Sequence, residues 1–213
     1  MTIGVTGSKG KSTTATLIYS IIKEAGLPVR LLGNIGRPML EVLLEPVSPK
    51  EIFILELSSY QLDDILYSPH IAVVLNLFPE HMDYHGSIDN YYRAKKNIIY
   101  FQKQDDYFIF NPQYADLKNW AKTARSIPKE YDLHVPIQDS DIKLLGTHNH
   151  ENIKAAVTVS RLLRIPDETI RSAVRKFRPL PHRLEFIGRF NGIDFYDDAI
   201  STTPESATAA LRA

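Results

Sequence analysis

The order of residues predicts an α/β domain with a mainly parallel sheet flanked by helices, and three observations carry that prediction. Continuous apolar runs of strand length recur between Ile3 and Phe110, as in strands covered on both faces. Segments with helical spacing fall between those runs, the alternation that parallel crossovers require. A glycine-rich turn, TGSKGKST at Thr6 to Thr13, joins the first apolar run to the first helical segment.

The elements follow in order. Ile3 to Val5 reads as a buried strand. From Lys11 a helix is marked by Leu17, Ile18, Ile21, Ile22 and Ala25, and Gly26 and Pro28 stop it. Val29 to Leu32, Ile52 to Leu57 and Ile71 to Leu75 are further buried strands, followed by a helix from about Ile88 to Phe101 and a strand from Tyr107 to Phe110. Asn149 to Leu163 and Asp167 to Phe177 read as two more helices, the second opening on Pro166 and Asp167. At RPLPHR, Arg178 to Arg183, two prolines interrupt the pattern and mark a linker. Beyond it, Leu184 to Ile187 and Ile193 to Tyr196 flank Asn191 and Gly192 as a hairpin, and Pro204 to Arg212 reads as a helix. One hairpin and one helix bury little core, so residues 178–213 are expected to be the opening of a second domain after a first at 1–177.

Composition narrows the function. The 25 basic residues equal the 25 acidic ones, so no overall field draws the chain to nucleic acid or anionic lipid. No apolar run approaches a membrane span, and the absence of cysteine removes disulfides, zinc-thiolate sites and thiol nucleophiles. A cytoplasmic monomer with no nucleic-acid or membrane partner is expected.

The glycine-rich turn fits phosphate-loop logic in Gly10, Lys11 and Ser12. Amides around Gly7 and Gly10 would wrap phosphate oxygens, Lys11 would reach the terminal phosphates, and the Ser12 hydroxyl would sit on magnesium. The commonest spacing wants a glycine where Val5 stands, with Gly7 closer in; a flexible turn with exposed lysines is the ordinary alternative. Glu56 ends an apolar strand in LELSSYQL, the edge of a parallel sheet where ligands gather, so it is a candidate for holding magnesium opposite Ser12. Glu80, His81, Asp83 and His85 crowd the loop after another strand, and Arg93, Lys95 and Lys96 lie on the next helix; a solvated loop and a basic face remain the alternatives.

TGSKGKST, GNIG at Gly33 to Gly36, ELSSYQL, NLFPEHMDYHGS, YRAKK at Tyr92 to Lys96, GTHNHEN at Gly146 to Asn152 and LPHRLE at Leu180 to Glu185 occur in one order along nearly the whole chain. Together they resemble the Mur ligase family, with ELSSYQL and GNIG favouring its D-glutamate-adding member. The resemblance implies the central ATP-binding domain of such a ligase, followed by the start of a Rossmann-like C-terminal domain. It also implies a uridine-binding domain that precedes these residues in such a ligase. The implied reaction phosphorylates the carboxylate of UDP-N-acetylmuramoyl-L-alanine with ATP, and the amine of D-glutamate then attacks the acyl phosphate through a tetrahedral intermediate.

The same resemblance places Gly7, Ser8, Lys9, Gly10, Lys11, Ser12 and Thr13 around the phosphates, with Arg183 on the γ phosphate, Asn149 and Asn152 by the adenine and ribose, and Asp198 on the nucleotide. Ser12 and Glu56 would hold one magnesium and His81 a second, beside a carbamylated Lys96; Lys11, Glu56, His81 and Lys96 would be the catalytic set. Asn34, Ser58 and Ser59 would contact the muramoyl-alanine substrate and Thr202 the D-glutamate. Ile200 stands where many members carry a lysine, so that lysine's role does not transfer. A fragment inactive by itself is expected, and a folylpolyglutamate synthetase-like ligase or a non-catalytic nucleotide-binding module remains open as an alternative.

Overall fold

The computed structural model describes residues 1–132 and 134–213. Six parallel strands form one sheet: β1 (Thr2–Thr6), β2 (Val29–Gly33), β3 (Ile52–Glu56), β4 (Ile71–Val74), β5 (Tyr107–Phe110) and β6 (Ile127–Glu130). Their order is β2-β3-β1-β4-β5-β6, with Val5 opposite both Glu56 and Val73. β1 is thus flanked by strands from later in the chain, and the loop leaving it opens between two neighbours at the carboxyl edge, where α/β sheets bind ligands.

Helices cover both faces. α1 (Lys11–Glu24), α6 (Thr147–Leu162) and α7 (Asp167–Lys176) pack on one side, where Ile3, Val5, Ile54 and Val73 meet Leu17, Ile18, Ile21, Ile153 and Ile170. On the other side Ala72, Val74, Phe108 and Phe110 meet Ile98 and Ile99 of α4 (Ile88–Tyr100) and Leu117 and Trp120 of α5 (Ala115–Thr123). Successive strand residues point to opposite faces, so continuous apolar runs supply both layers. Two four-residue helices, α2 (Ser59–Leu62) and α3 (Met82–His85), sit just beyond the carboxyl ends of β3 and β4. After the linker, β7 (Glu185–Phe190) and β8 (Ile193–Asp197) form a separate antiparallel hairpin, followed by α8 (Pro204–Leu211). Among the described residues no helix is long and apolar enough to cross a membrane.

The expected strands and long helices lie within about two residues of the observed ones, except β7, expected to end at Ile187 and extending to Phe190. Additional to the sequence reading are two 3-10 helices at Met39–Leu44 and Asp139–Asp141, and α2, α3, α5 and β6. The last, IPKE, is an edge strand that is mostly exposed and contains Pro128, which gives it no apolar pattern to read.

Candidate active site

The turn after β1 is held open by backbone geometry that only glycine adopts cheaply. Gly10 caps α1 with φ 85°, and a Cβ there would collide with the side-chain amide of Asn152. The close approach brings Asn152, on the first turns of α6, against the loop. Asn152 Nδ2 donates to Asn149 Oδ1 at 2.9 Å, and Asn149 Nδ2 donates to the Leu145 carbonyl at 2.6 Å. Both asparagines therefore sit on the α1 side of the loop.

The segment after β4 braces the same turn from the other side. Ser8 N donates to the Asn76 carbonyl, Lys9 N donates to Asn76 Oδ1 at 2.8 Å, and Asn76 Nδ2 returns a bond to the Lys9 carbonyl at 3.0 Å. Ser8 Oγ donates to the Phe78 carbonyl and accepts from Phe78 N, both at 2.8 Å. Its only hydrogen is then committed, so the Tyr91 hydroxyl, 2.9 Å away, donates to it. Lys9 pairs with Glu80 at 2.6 Å. These anchors fix the loop by spending the Ser8 and Lys9 amides on Asn76, and leave the amides of the first turn of α1 to point out of its N-terminus.

Two lysines converge on this loop. Lys11 Nζ folds back to donate to the Gly7 carbonyl at 3.0 Å and the Ser8 carbonyl at 2.8 Å. Burial lowers its pKa, and the carboxylates of Glu56 and Glu80 partly offset that. The second is Lys95, whose Nζ donates to the same Gly7 carbonyl at 3.0 Å and lies 4.8 Å from the Tyr91 ring centroid. It is 1% exposed, and burial, reinforced by the nearby Lys11 charge, pushes its pKa well below the ordinary lysine value. Lys96, the lysine expected here, faces α5 instead: its ammonium stands 6.0 Å from the Trp120 ring centroid. The reason is helical phase. Tyr91, Ala94, Ile98 and Ile99 define the buried stripe of α4, and Lys95 falls inside it while Lys96 is turned about 100° away.

Glu56 ends β3 beside the loop and is 1% exposed. Its Oε1 accepts from Asn34 Nδ2 at 3.2 Å, whereas its Oε2 is buried with no partner among the described residues. Gly33, paired with Glu56 across the β2–β3 ladder at φ 107°, leaves no room for a Cβ over the Glu56 backbone. A buried carboxylate oxygen without a donor is costly unless a cation completes it. An oxygen donor set of Glu56 and Ser12 suits magnesium, so the residues fit that ion.

Arg183 crosses from the linker to donate to Ser12 Oγ at 2.9 Å, which brings its guanidinium to the first turn of α1. Around it, His182 Nδ1 and Asp197 Oδ2 are 2.6 Å apart, and Asp198 Oδ1 accepts from Leu184 N at 3.1 Å. The hydrogen bond to Asp197 raises the His182 pKa and holds that of Asp197 down.

The remaining expected residues divide. His81 stands at the start of α3 with φ 57°, its ring 5.1 Å from Tyr60. Ser58 caps α2, its hydroxyl engaged with Gln61, and the Ser59 hydroxyl is engaged by buried His85 Nε2 at 3.1 Å. Asn34 is tied to Glu56, and exposed Thr202 lies just before α8, with no hydrogen bond to the loop among the described residues. Asn76 and Tyr91 were not among the expected site residues, and Lys95 was named only as part of a basic face beside Lys96. The helical stripe on α4 was the available signal for Tyr91 and Lys95.

This geometry defines a phosphate-loop α/β domain with a cation-ready carboxylate. The Mur ligase middle domain profile matches residues 5–134, and the chain belongs to that family. The UDP-N-acetylmuramoylalanine--D-glutamate ligase of Streptococcus mutans serotype c is 38% identical over 98% of the chain and 50% of the relative. The enzyme of the same name from Aquifex aeolicus is 35% identical over 99% of the chain and 53% of the relative. The chain thus spans about half the length of the curated relatives it matches. The MurF ligase from Thermotoga maritima in complex with ADP shares the fold, with TM-score 0.80 at 19% identity over 100% of the chain and 56% of that structure.

Proposed function

We propose that this chain is the ATP- and magnesium-binding part of a ligase that joins D-glutamate to UDP-N-acetylmuramoyl-L-alanine in peptidoglycan precursor synthesis. The observation that carries the reading is Glu56 Oε2, buried at the carboxyl edge of β3 with no partner among the described residues, beside a loop on which Lys11, Lys95 from α4 and Arg183 from the linker converge. The names of the relatives supply the acceptor and the amino acid. Residues 178–213 would open the next domain, which accords with the exposed apolar side chains of the β7–β8 hairpin. The cytoplasm, where ATP and nucleotide-linked acceptors occur together, is the fitting location.

A carboxylate is a poor electrophile, so the reaction begins by transferring the γ-phosphoryl group of ATP to the acceptor carboxylate. The D-glutamate amine then attacks that carbon and phosphate leaves. In this reading Lys11 leaves the Gly7 and Ser8 carbonyls for phosphate oxygens, and the loop amides and the positive end of α1 add their dipoles. Arg183, already at Ser12, follows the terminal phosphate. Asn149 and Asn152 border the base and ribose. Magnesium would neutralise charge on the transferring group, held by Glu56 and Ser12, with His81 toward a second ion. Lys95 takes the place expected of Lys96. Its amine, neutral more readily than that of a surface lysine, adds to carbon dioxide and releases one proton, giving a carbamate of a charge that suits a neighbouring cation.

Titration calorimetry with magnesium-ATP tests the reading. Lys11→Ala should weaken binding by at least tenfold with an unchanged circular dichroism spectrum, and unchanged affinity would refute the phosphate-loop assignment. Ligation itself belongs to the longer protein. The chain alone should release no ADP on addition of acceptor and D-glutamate, because the positioning that such a reaction needs is incomplete.

A further inference from the structure

Tyr60 and Tyr84 are exposed at 41% and 54%, and their rings meet edge to face with centroids 4.6 Å apart. That arrangement leaves a ring face open beside the edge of its neighbour. The pair does not float on a loop. Tyr60 rests against His81 at 5.1 Å and His85 at 5.8 Å, and Tyr84 against His85 at 4.8 Å. His85 is buried, bonded to Ser59, and packs at 5.3 Å on Tyr91, whose hydroxyl reaches Ser8 in the phosphate loop. A continuous aromatic stack thus runs from the loop to the surface.

The stack lies on the α2–α4 side of the sheet, whereas Asn149 and Asn152 lie on the α1–α6 side. A nucleotide seated with its phosphates on the loop and its base by those asparagines leaves Tyr60 and Tyr84 free. We propose that the two tyrosines form a carbohydrate-stacking platform for the pyranose ring of the acceptor; this rests on the reading of the chain as part of an N-acetylmuramoyl-dependent ligase. The open faces are uncharged and electron-rich, suited to the C–H face of a sugar.

Saturation-transfer NMR on the whole chain, with N-acetylmuramic acid, UMP and ADP as separate probes, tests the platform. Irradiating the protein should transfer saturation to the pyranose ring protons. The signal should fall at least fivefold in Tyr60→Ala and in Tyr84→Ala and persist in Tyr60→Phe, with ADP transfer unchanged throughout. No pyranose transfer in the wild-type chain, or equal transfer in both alanine variants, overturns the proposal. So does Tyr60-dependent transfer to the uracil protons of UMP in place of the sugar. A wild-type chain that fails to bind ADP instead refutes the nucleotide reading, while the sugar signal still decides the platform.

Discussion

In the six-stranded sheet Ile3, Val5, Ile54, Val73 and Phe108 are fully covered, whereas in the β7–β8 hairpin Phe186, Phe190, Ile193 and Phe195 are each exposed by 47% or more. Both regions are rich in large apolar side chains, so composition does not separate them. What differs is the presence of partners: α1, α6 and α7 close one face of the large sheet and α4 and α5 the other, while no helix packs across either face of the hairpin among the described residues. The stability of this chain therefore resides in the large sheet. The hairpin is held to it chiefly through polar contacts at its base, such as Arg183 on Ser12.

The widest gap between the two regions should come from truncating one isoleucine in each. Ile18 is fully buried between α1 and the sheet, so Ile18→Ala loses its transfer energy and leaves a cavity, about 3–4 kcal/mol. Ile193, 61% exposed, should cost no more than about 0.5 kcal/mol on the same change. Urea unfolding of both variants makes the measurement, and equal losses would mean that the hairpin is covered in solution.

How far each region could be read from the sequence follows the same division. Strands buried on both faces announce themselves as apolar runs, and the Asn191–Gly192 turn announces the hairpin. Four-residue α2 and α3 are too short for any period to show, and α5 buries only Leu117 and Trp120. At the site, Lys11, Ser12 and Glu56 were legible because a strand end and a glycine turn fix where they stand. Which lysine of α4 faces the loop was not, because adjacent lysines differ by helical phase and a motif alone does not resolve one residue of register. Asn76 was invisible for another reason: its role is a pair of hydrogen bonds to Lys9, 67 positions away.

Lys95 and Lys96 sharpen the comparison within one helix. Lys95→Met removes a buried amine whose hydrogen bonds among the described residues are to the Gly7 carbonyl and, at 3.5 Å, Thr6 Oγ1, so it should stabilise the chain by about 1–2 kcal/mol at pH 7. Lys96→Met should stay within about 0.5 kcal/mol. The pH dependence fixes the cause. Because burial lowers the folded pKa of Lys95, the unfolded chain binds more protons between that value and the ordinary one near 10.5, and wild-type stability rises with pH across this window. The advantage of Lys95→Met should shrink accordingly as pH approaches 10.5. An advantage that does not change with pH would mean that packing, not charge, is responsible.

The smallest effect is expected at the polar base of the hairpin. Asp197 raises the pKa of His182, and His182 lowers that of Asp197, so their pairing has two limits. The histidine's share is complete below its unfolded value near 6.5 and is lost as pH rises through its higher folded value; the aspartate's share is present above its unfolded value near 3.8 and is lost as pH falls through its lower folded one. The pair is therefore strongest between those two unfolded values. Proton–carbon NMR of the His182 ring should show a midpoint above 6.5 that returns toward 6.5 in Asp197→Asn, with the core resonances unmoved. Because the backbone of His182 and Leu184 leads directly into and out of Arg183, the same titration should broaden or shift the Arg183 side-chain signal. A His182 midpoint indifferent to Asp197→Asn would show that the hairpin base is held without this pair.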